Sequence, residues 1–197
     1  MKKHIRFTRG IIAAVLLILM LASLACHSTG VWRVSSYDEL QQAFSRGKTG
    51  IIYPDLSGLH MDESTIEYKI CYPLDEIPGG PRIDRGNIPE FSISGDGVLA
   101  GNSIKCCFSC YESNLSCNGD NMLAYNGVDI EAYHYELESA YSDLLEANVN
   151  GCRYLASCLY DDGKTLSAEE NAELEAKVHD MLYAFVCGII DAAQENS

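Results

Sequence analysis

Two Asn-Gly pairs, Asn126-Gly127 and Asn150-Gly151, constrain the fold more than any other feature of this chain. Asn-Gly tolerates the positive backbone dihedrals of a type I′ turn, whose twist matches that of an antiparallel strand pair. The first pair joins Met122–Tyr125 to Val128–Glu136, and the second joins Leu144–Val149 to Cys152–Tyr160. Upstream, Thr65 to Tyr72 alternates, with Ile66, Tyr68, Ile70 and Tyr72 on one face and Thr65, Glu67, Lys69 and Cys71 on the other. That period of two marks a half-buried strand. Pro73 to Pro89, with Pro78-Gly79-Gly80-Pro81, reads as a loop. Short strands are expected at Ile88–Ile93 and Val98–Ala100 around a Ser94-Gly95-Asp96-Gly97 turn, then a strand at Ile104–Tyr111. Asp161-Asp162-Gly163-Lys164 closes the strand region.

Two helices flank the strands. Ser36-Tyr37-Asp38-Glu39 is a capping box that starts a short helix from Tyr37 to Ser45, ended by Gly47 and Gly50. Ile51-Ile52-Tyr53 is extended because Pro54 follows. A second capping box, Ser167-Ala168-Glu169-Glu170, starts the strongest helix, with its acidic residues at the positive end of the dipole. Leu174, Val178, Met181, Leu182, Phe185, Ile189 and Ile190 recur there at spacings of three and four, a stripe wide enough to lie on a sheet. The expected fold is α+β: an antiparallel sheet of hairpin-connected strands, with the short N-terminal and long C-terminal helices packed on one face. A hydrophobic content of 47% and 12 tyrosines argue against disorder.

The N-terminus gives an address. Lys2, Lys3, Arg6 and Arg9 precede an uncharged run of 15 residues, Ile11 to Ala25. The run is short of the roughly 20 residues that a membrane-spanning helix needs. A basic start, an apolar stretch and a small residue before the cut compose a secretory signal over residues 1–25. Ser23-Leu24-Ala25-Cys26 resembles the lipobox of bacterial lipoproteins, which implies a lipid anchor at Cys26. Serine stands at the third position before that cysteine, where leucine is usual, so ordinary cleavage after Ala25 and an uncleaved anchor are the alternatives. The chain then divides into a signal at 1–25, a lipidated tether at 26–35 and a single domain at 36–197. Its place is the outer side of a bacterial cell membrane.

Removing residues 1–25 takes away those four basic residues and no acidic ones, leaving 10 Lys+Arg against 28 Asp+Glu and moving the formal charge from −14 to −18. Such a surface excludes nucleic-acid binding, which needs a basic patch. Anionic lipid also repels it, so membrane attachment falls to the anchor. High net charge otherwise serves solubility.

Asn126-Gly127-Val128, a tyrosine-rich acidic strand, Asn150-Gly151-Cys152-Arg153-Tyr154 and a terminal helix occur in a recognisable order. Together with the Tyr37–Ala43 helix and Ile51-Ile52-Tyr53-Pro54, they resemble an exported domain of unknown function. That domain is found on Gram-positive lipoproteins and anti-sigma-factor-like membrane proteins. The resemblance covers Ser36 to Ala193 and implies an envelope domain that binds or senses an envelope protein or small ligand, without an enzyme site. Only ten residues precede the apolar run, so this chain is not expected to hold a sigma factor itself. The cysteine-rich stretch Cys106–Cys117 departs from the family pattern.

With Cys26 lipidated, eight cysteines remain: Cys71, Cys106, Cys107, Cys110, Cys117, Cys152, Cys158 and Cys187. An even number outside the cytoplasm permits disulfides of open connectivity. Free buried thiols and a metal or redox site built on Cys106, Cys107, Cys110 and Cys117 are the alternatives. On a strand, Cys106 and Cys107 face opposite ways. Cys106 and Cys110 then share a face with Ile104 and Phe108 at about 13 Å, too far to bond each other. A thioredoxin-type Cys107/Cys110 pair would need a helix N-terminus, and the local pattern is strand.

No catalytic signature occurs: there is no Gly-x-Ser-x-Gly elbow, phosphate loop or His-Glu-x-x-His helix. His27, His60, His134 and His179 read as surface or packed histidines. Asp161-Asp162 and Asn118-Gly119-Asp120-Asn121 read as turns, lacking the calcium-loop pattern. The sequon Asn114-Leu115-Ser116 is a chance match behind a bacterial signal. Strand propensity accounts for the tyrosines Tyr125, Tyr133, Tyr135, Tyr141, Tyr154 and Tyr160. No cofactor, catalytic residue or metal ligand is assigned.

Overall fold

A computed structural model describes residues 29–44, 51–73, 90–112, 121–137, 140–161 and 166–195. The strands are β1 (Thr29–Val34), β2 (Glu67–Pro73), β3 (Glu90–Leu99), β4 (Asn102–Glu112), β5 (Asn121–Tyr125), β6 (Val128–Glu136), β7 (Ala140–Val149) and β8 (Cys152–Asp161). The helices are α1 (Tyr37–Phe44) and α2 (Ala168–Glu195). All eight strands form one sheet in the order β1-β2-β3-β4-β8-β7-β6-β5. The fold is α+β, as expected. Among the described residues no helix is long and apolar enough to cross a membrane. The run Ile11–Ala25 and Cys26 lie outside the described residues, as do residues 74–89 and 113–120.

The chain divides into two compact units. One comprises residues 1–32 and 71–82, of which only Thr29–Trp32 and Cys71–Pro73 are described. The other comprises residues 33–70 and 83–197 and holds both clefts and the β4–β8 seam. Within the stretch 26–35, Thr29–Val34 form strand β1.

Both Asn-Gly turns form where expected, with positive φ at Asn126 (48°), Gly127 (81°), Asn150 (53°) and Gly151 (77°). A third turn of the same hand sits at Ala100-Gly101, with φ of 52° and 83°, and connects β3 to β4. The Ser94–Gly97 turn is a correction: these residues run straight through β3. Gly95 and Gly97 serve close approach instead. A Cβ on Gly97 would lie 2.2 Å from the His60 carbonyl oxygen, and Met61 bridges to Gly97 there. A glycine inside a strand often marks such an approach. The Asp62 N–H then donates to the Asp96 carbonyl at 2.8 Å, fastening this crossing segment to β3.

Two meanders meet along one seam. β3 and β4 are a hairpin, β5 to β8 are a four-strand meander, and β4 pairs antiparallel with β8 to join them. The seam register places Cys106 opposite Cys158, Phe108 opposite Ala156, and Cys110 opposite Tyr154. These side chains face α2 and are buried. Phe108 is the centre of an aromatic core, 5.3 Å from Phe185, 5.8 Å from Phe91 and 6.2 Å from Tyr154 between ring centroids. The buried Tyr154 hydroxyl accepts from the Ile52 N–H at 2.7 Å, pinning the segment after α1 to the sheet.

The second capping box forms in full and the first in part. The Ser167 hydroxyl accepts from the Glu170 N–H at 3.3 Å, and the Glu170 carboxylate accepts from the Ser167 N–H at 2.8 Å. At α1 the Ser36 hydroxyl accepts from the Glu39 N–H at 3.1 Å, but the Glu39 carboxylate reaches one residue further back, to the Ser35 N–H at 2.7 Å. The expected apolar stripe of α2 is buried, and Val186, Cys187 and Ala193 widen it.

Candidate functional site

The strand register explains the main polar site. His134 on β6 lies directly opposite Asp143 on β7, so both side chains project to the face that carries α2. Their Nδ1 and Oδ1 atoms are 2.6 Å apart. The other oxygen of Asp143 accepts from the Tyr160 hydroxyl at 3.2 Å. Burial, with the Asp143 carboxylate, pushes the Tyr160 phenol up, so this hydroxyl keeps its proton and stays a donor. Glu175 of α2 brings a carboxylate oxygen to 3.8 Å from His134 Nδ1. The imidazole also stacks on Tyr141, which stacks on Tyr160, both at 5.8 Å. An imidazole gripped through Nδ1 by a buried carboxylate has its orientation fixed, and its Nε2 is the atom left to meet a ligand.

A cleft of about 810 Å³ opens at this position, between β5–β7 and the first half of α2. Asp143, Glu175 and Asp180 line it with His134 and His179. Among the described residues no Lys or Arg lines it, and no Ser, Thr or Cys does. The described walls are therefore acidic, with Tyr133 supplying a hydroxyl. A second cavity of about 570 Å³ lies beside Tyr53, His60 and Phe185.

The opposite sheet face carries a different cluster. Glu131 on β6 is directly opposite Glu146 on β7, and Arg153 on β8 pairs with Glu146 and lies 4.0 Å from Glu131. Both carboxylates are buried. The Arg153 guanidinium also lies 5.9 Å over the Tyr111 ring. Tyr133 donates to Glu131, and that carboxylate pushes its phenol up to about 12.

The cysteines sort by strand parity as expected. Cys106 and Cys110 are buried on the α2 face with Ile104 and Phe108, and Cys107 is half-buried on the other. Cys107 contacts the Ser109 hydroxyl at 3.8 Å, and burial raises its thiol. The Cys158 thiol is raised through its hydrogen bond to Cys106, and the Cys110 thiol through its hydrogen bond to Cys152. Cys187, on α2, is raised by burial, while Cys71 is half-buried in the smaller unit. Cys117 lies outside the described residues, as do Asn114–Ser116 and Gly119-Asp120. Among the described residues no three His, Cys, Asp or Glu side chains gather as a metal site would require. Cys107 and Cys110 both lie within β4, which offers no helix N-terminus.

No protein family, curated protein or solved structure matches the chain. The His134–Asp143 pair escapes sequence reading because the two residues are nine apart on different strands. The one available signal is the alternation that puts each on its strand's core face.

Proposed function

We propose that this chain is an envelope lipoprotein, held to the outer side of the membrane by a lipid at Cys26, whose domain binds a small cationic ligand without transforming it. The observation that carries the binding reading is the acidic cleft around His134. Among the described residues its lining has three carboxylates and no Lys or Arg, so a positively charged ligand is favoured and an anion is repelled. The signal-like N-terminus supports the address, and the net charge leaves attachment to the lipid. Raised thiols weigh against the alternative of an exported redox or metal-binding protein built on Cys106–Cys117. A thiol held neutral is a poor nucleophile and a poor metal ligand.

The test is a titration of the purified domain with putrescine, with acetate as the anionic control. The His134 ring resonances report the cleft. Saturable shifts with the diamine and none with acetate are expected. Asp143→Asn removes one negative charge near the ligand and should weaken binding by about tenfold. Equal response to both probes, or none to the diamine, overturns the ligand class.

A further inference from the structure

We infer that the seam between the two meanders is closed by a disulfide between Cys106 and Cys158. Cys106 and Cys158 are directly opposite on antiparallel β4 and β8, and both are fully buried. Directly opposite residues have Cα atoms about 4.5–5.5 Å apart, inside the 4.4–6.8 Å span of disulfides. Their side chains are in hydrogen-bond contact. Cys152 is displaced by two residues from Tyr154, the register partner of Cys110, so this pair is diagonal. Diagonal neighbours lie about 7–8 Å apart, beyond that span, so Cys110 and Cys152 remain thiols in hydrogen-bond contact. All four cysteines are buried on the α2 face. Cys107 faces away and takes no part.

The seam is where such links matter most. β4 and β8 are distant in sequence, and their pairing holds the β3–β4 hairpin to the β5–β8 meander. The bridge forms when two thiols lose two protons and two electrons to make one S–S bond. The electron acceptor is a protein disulfide of the envelope, which is reduced to a dithiol in the exchange. In the folded seam both thiols are buried and Cys158 is raised, so exchange precedes closure of the sheet. The finished bond is then out of reach of reductant.

This inference rests on the exported address, and the test separates the two. The full chain is expressed in bacteria, quenched in acid, unfolded in guanidinium with iodoacetamide so that buried thiols react, and digested without reductant. Chymotrypsin cuts after Phe108 and Tyr154, placing the four cysteines on separate peptides, with fragmentation to tell Cys106 from Cys107. A linked pair 106–158 is expected, gaining the mass of two hydrogens on reduction, with Cys110 and Cys152 alkylated. Cys106→Ser should free Cys158. If Cys106 and Cys158 are alkylated on a chain that begins at Cys26, or are joined to other cysteines, the inference is overturned and the address stands. If residues 1–25 are retained and the thiols are alkylated, the address fails. The purified chain is then unfolded and refolded in a glutathione redox buffer. The same link supports the seam bridge, and any other outcome overturns it.

Discussion

Replacing Arg153 by methionine leaves two buried carboxylates facing each other with no cation between them. Glu131 and Glu146 are directly opposite on neighbouring strands, and their side chains are 0% and 6% exposed. Side chains in that register sit about 5 Å apart, where two negative charges at an effective dielectric of about 20 repel by about 3 kcal/mol. Loss of the cation from the Tyr111 ring, 5.9 Å away, adds about 0.5–1 kcal/mol. Methionine keeps most of the apolar stem, so the cavity contribution is small. The expected loss is about 3–5 kcal/mol, the range for removing one partner of a buried pair. Urea unfolding at neutral pH, followed by circular dichroism, measures it. Adding Glu146→Gln to the Arg153→Met chain removes the repulsion and should recover about half of the loss. The reasoning is refuted if Arg153→Met costs under about 1 kcal/mol, or if Glu146→Gln destabilises that variant further.

Gly97→Ala should cost about 1–3 kcal/mol in urea, because the new methyl meets the His60 carbonyl; amide exchange at Asp62 should speed up as its bond to Asp96 loosens. Ser167→Ala removes the cap of α2 and should cost about 1 kcal/mol by thermal unfolding, with the strand signal changing in the same transition. The phenolate absorbance of Tyr133 should appear near its raised pKa of about 12 rather than the ordinary 10.0, and Glu131→Gln should bring it down. Here the folded state holds the phenolic proton more tightly than the unfolded chain. The stabilisation is thus complete below pH 10 and fades as pH rises towards about 12.

Local signals carried most of the fold. The Asn-Gly turns, the two capping boxes and the stripe on α2 are short-range patterns, and each is where the chain places it. The Ala100-Gly101 turn was illegible because alanine rarely adopts a φ of 52°. The strand through Ser94–Gly97 was misread as a turn because glycine marks turns and close approaches alike. β7 begins at Ala140, earlier than its apolar run, since Asp143 sits inward to meet His134 and interrupts the pattern. The seam was the largest gap. Nothing local relates Cys106 to Cys158, so parity gave the face of each cysteine but not its partner. The candidate cleft is illegible for the same reason, being assembled from residues on β5, β6, β7 and α2.

The central claim is that this chain works as a lipid-anchored domain outside the membrane, and the intact mass of the protein extracted from bacterial membranes tests it most directly. The account predicts a chain that starts at Cys26 and is heavier than residues 26–197 by its acyl groups. An unmodified chain recovered at the full 197-residue mass, or from the soluble cytoplasm, contradicts it.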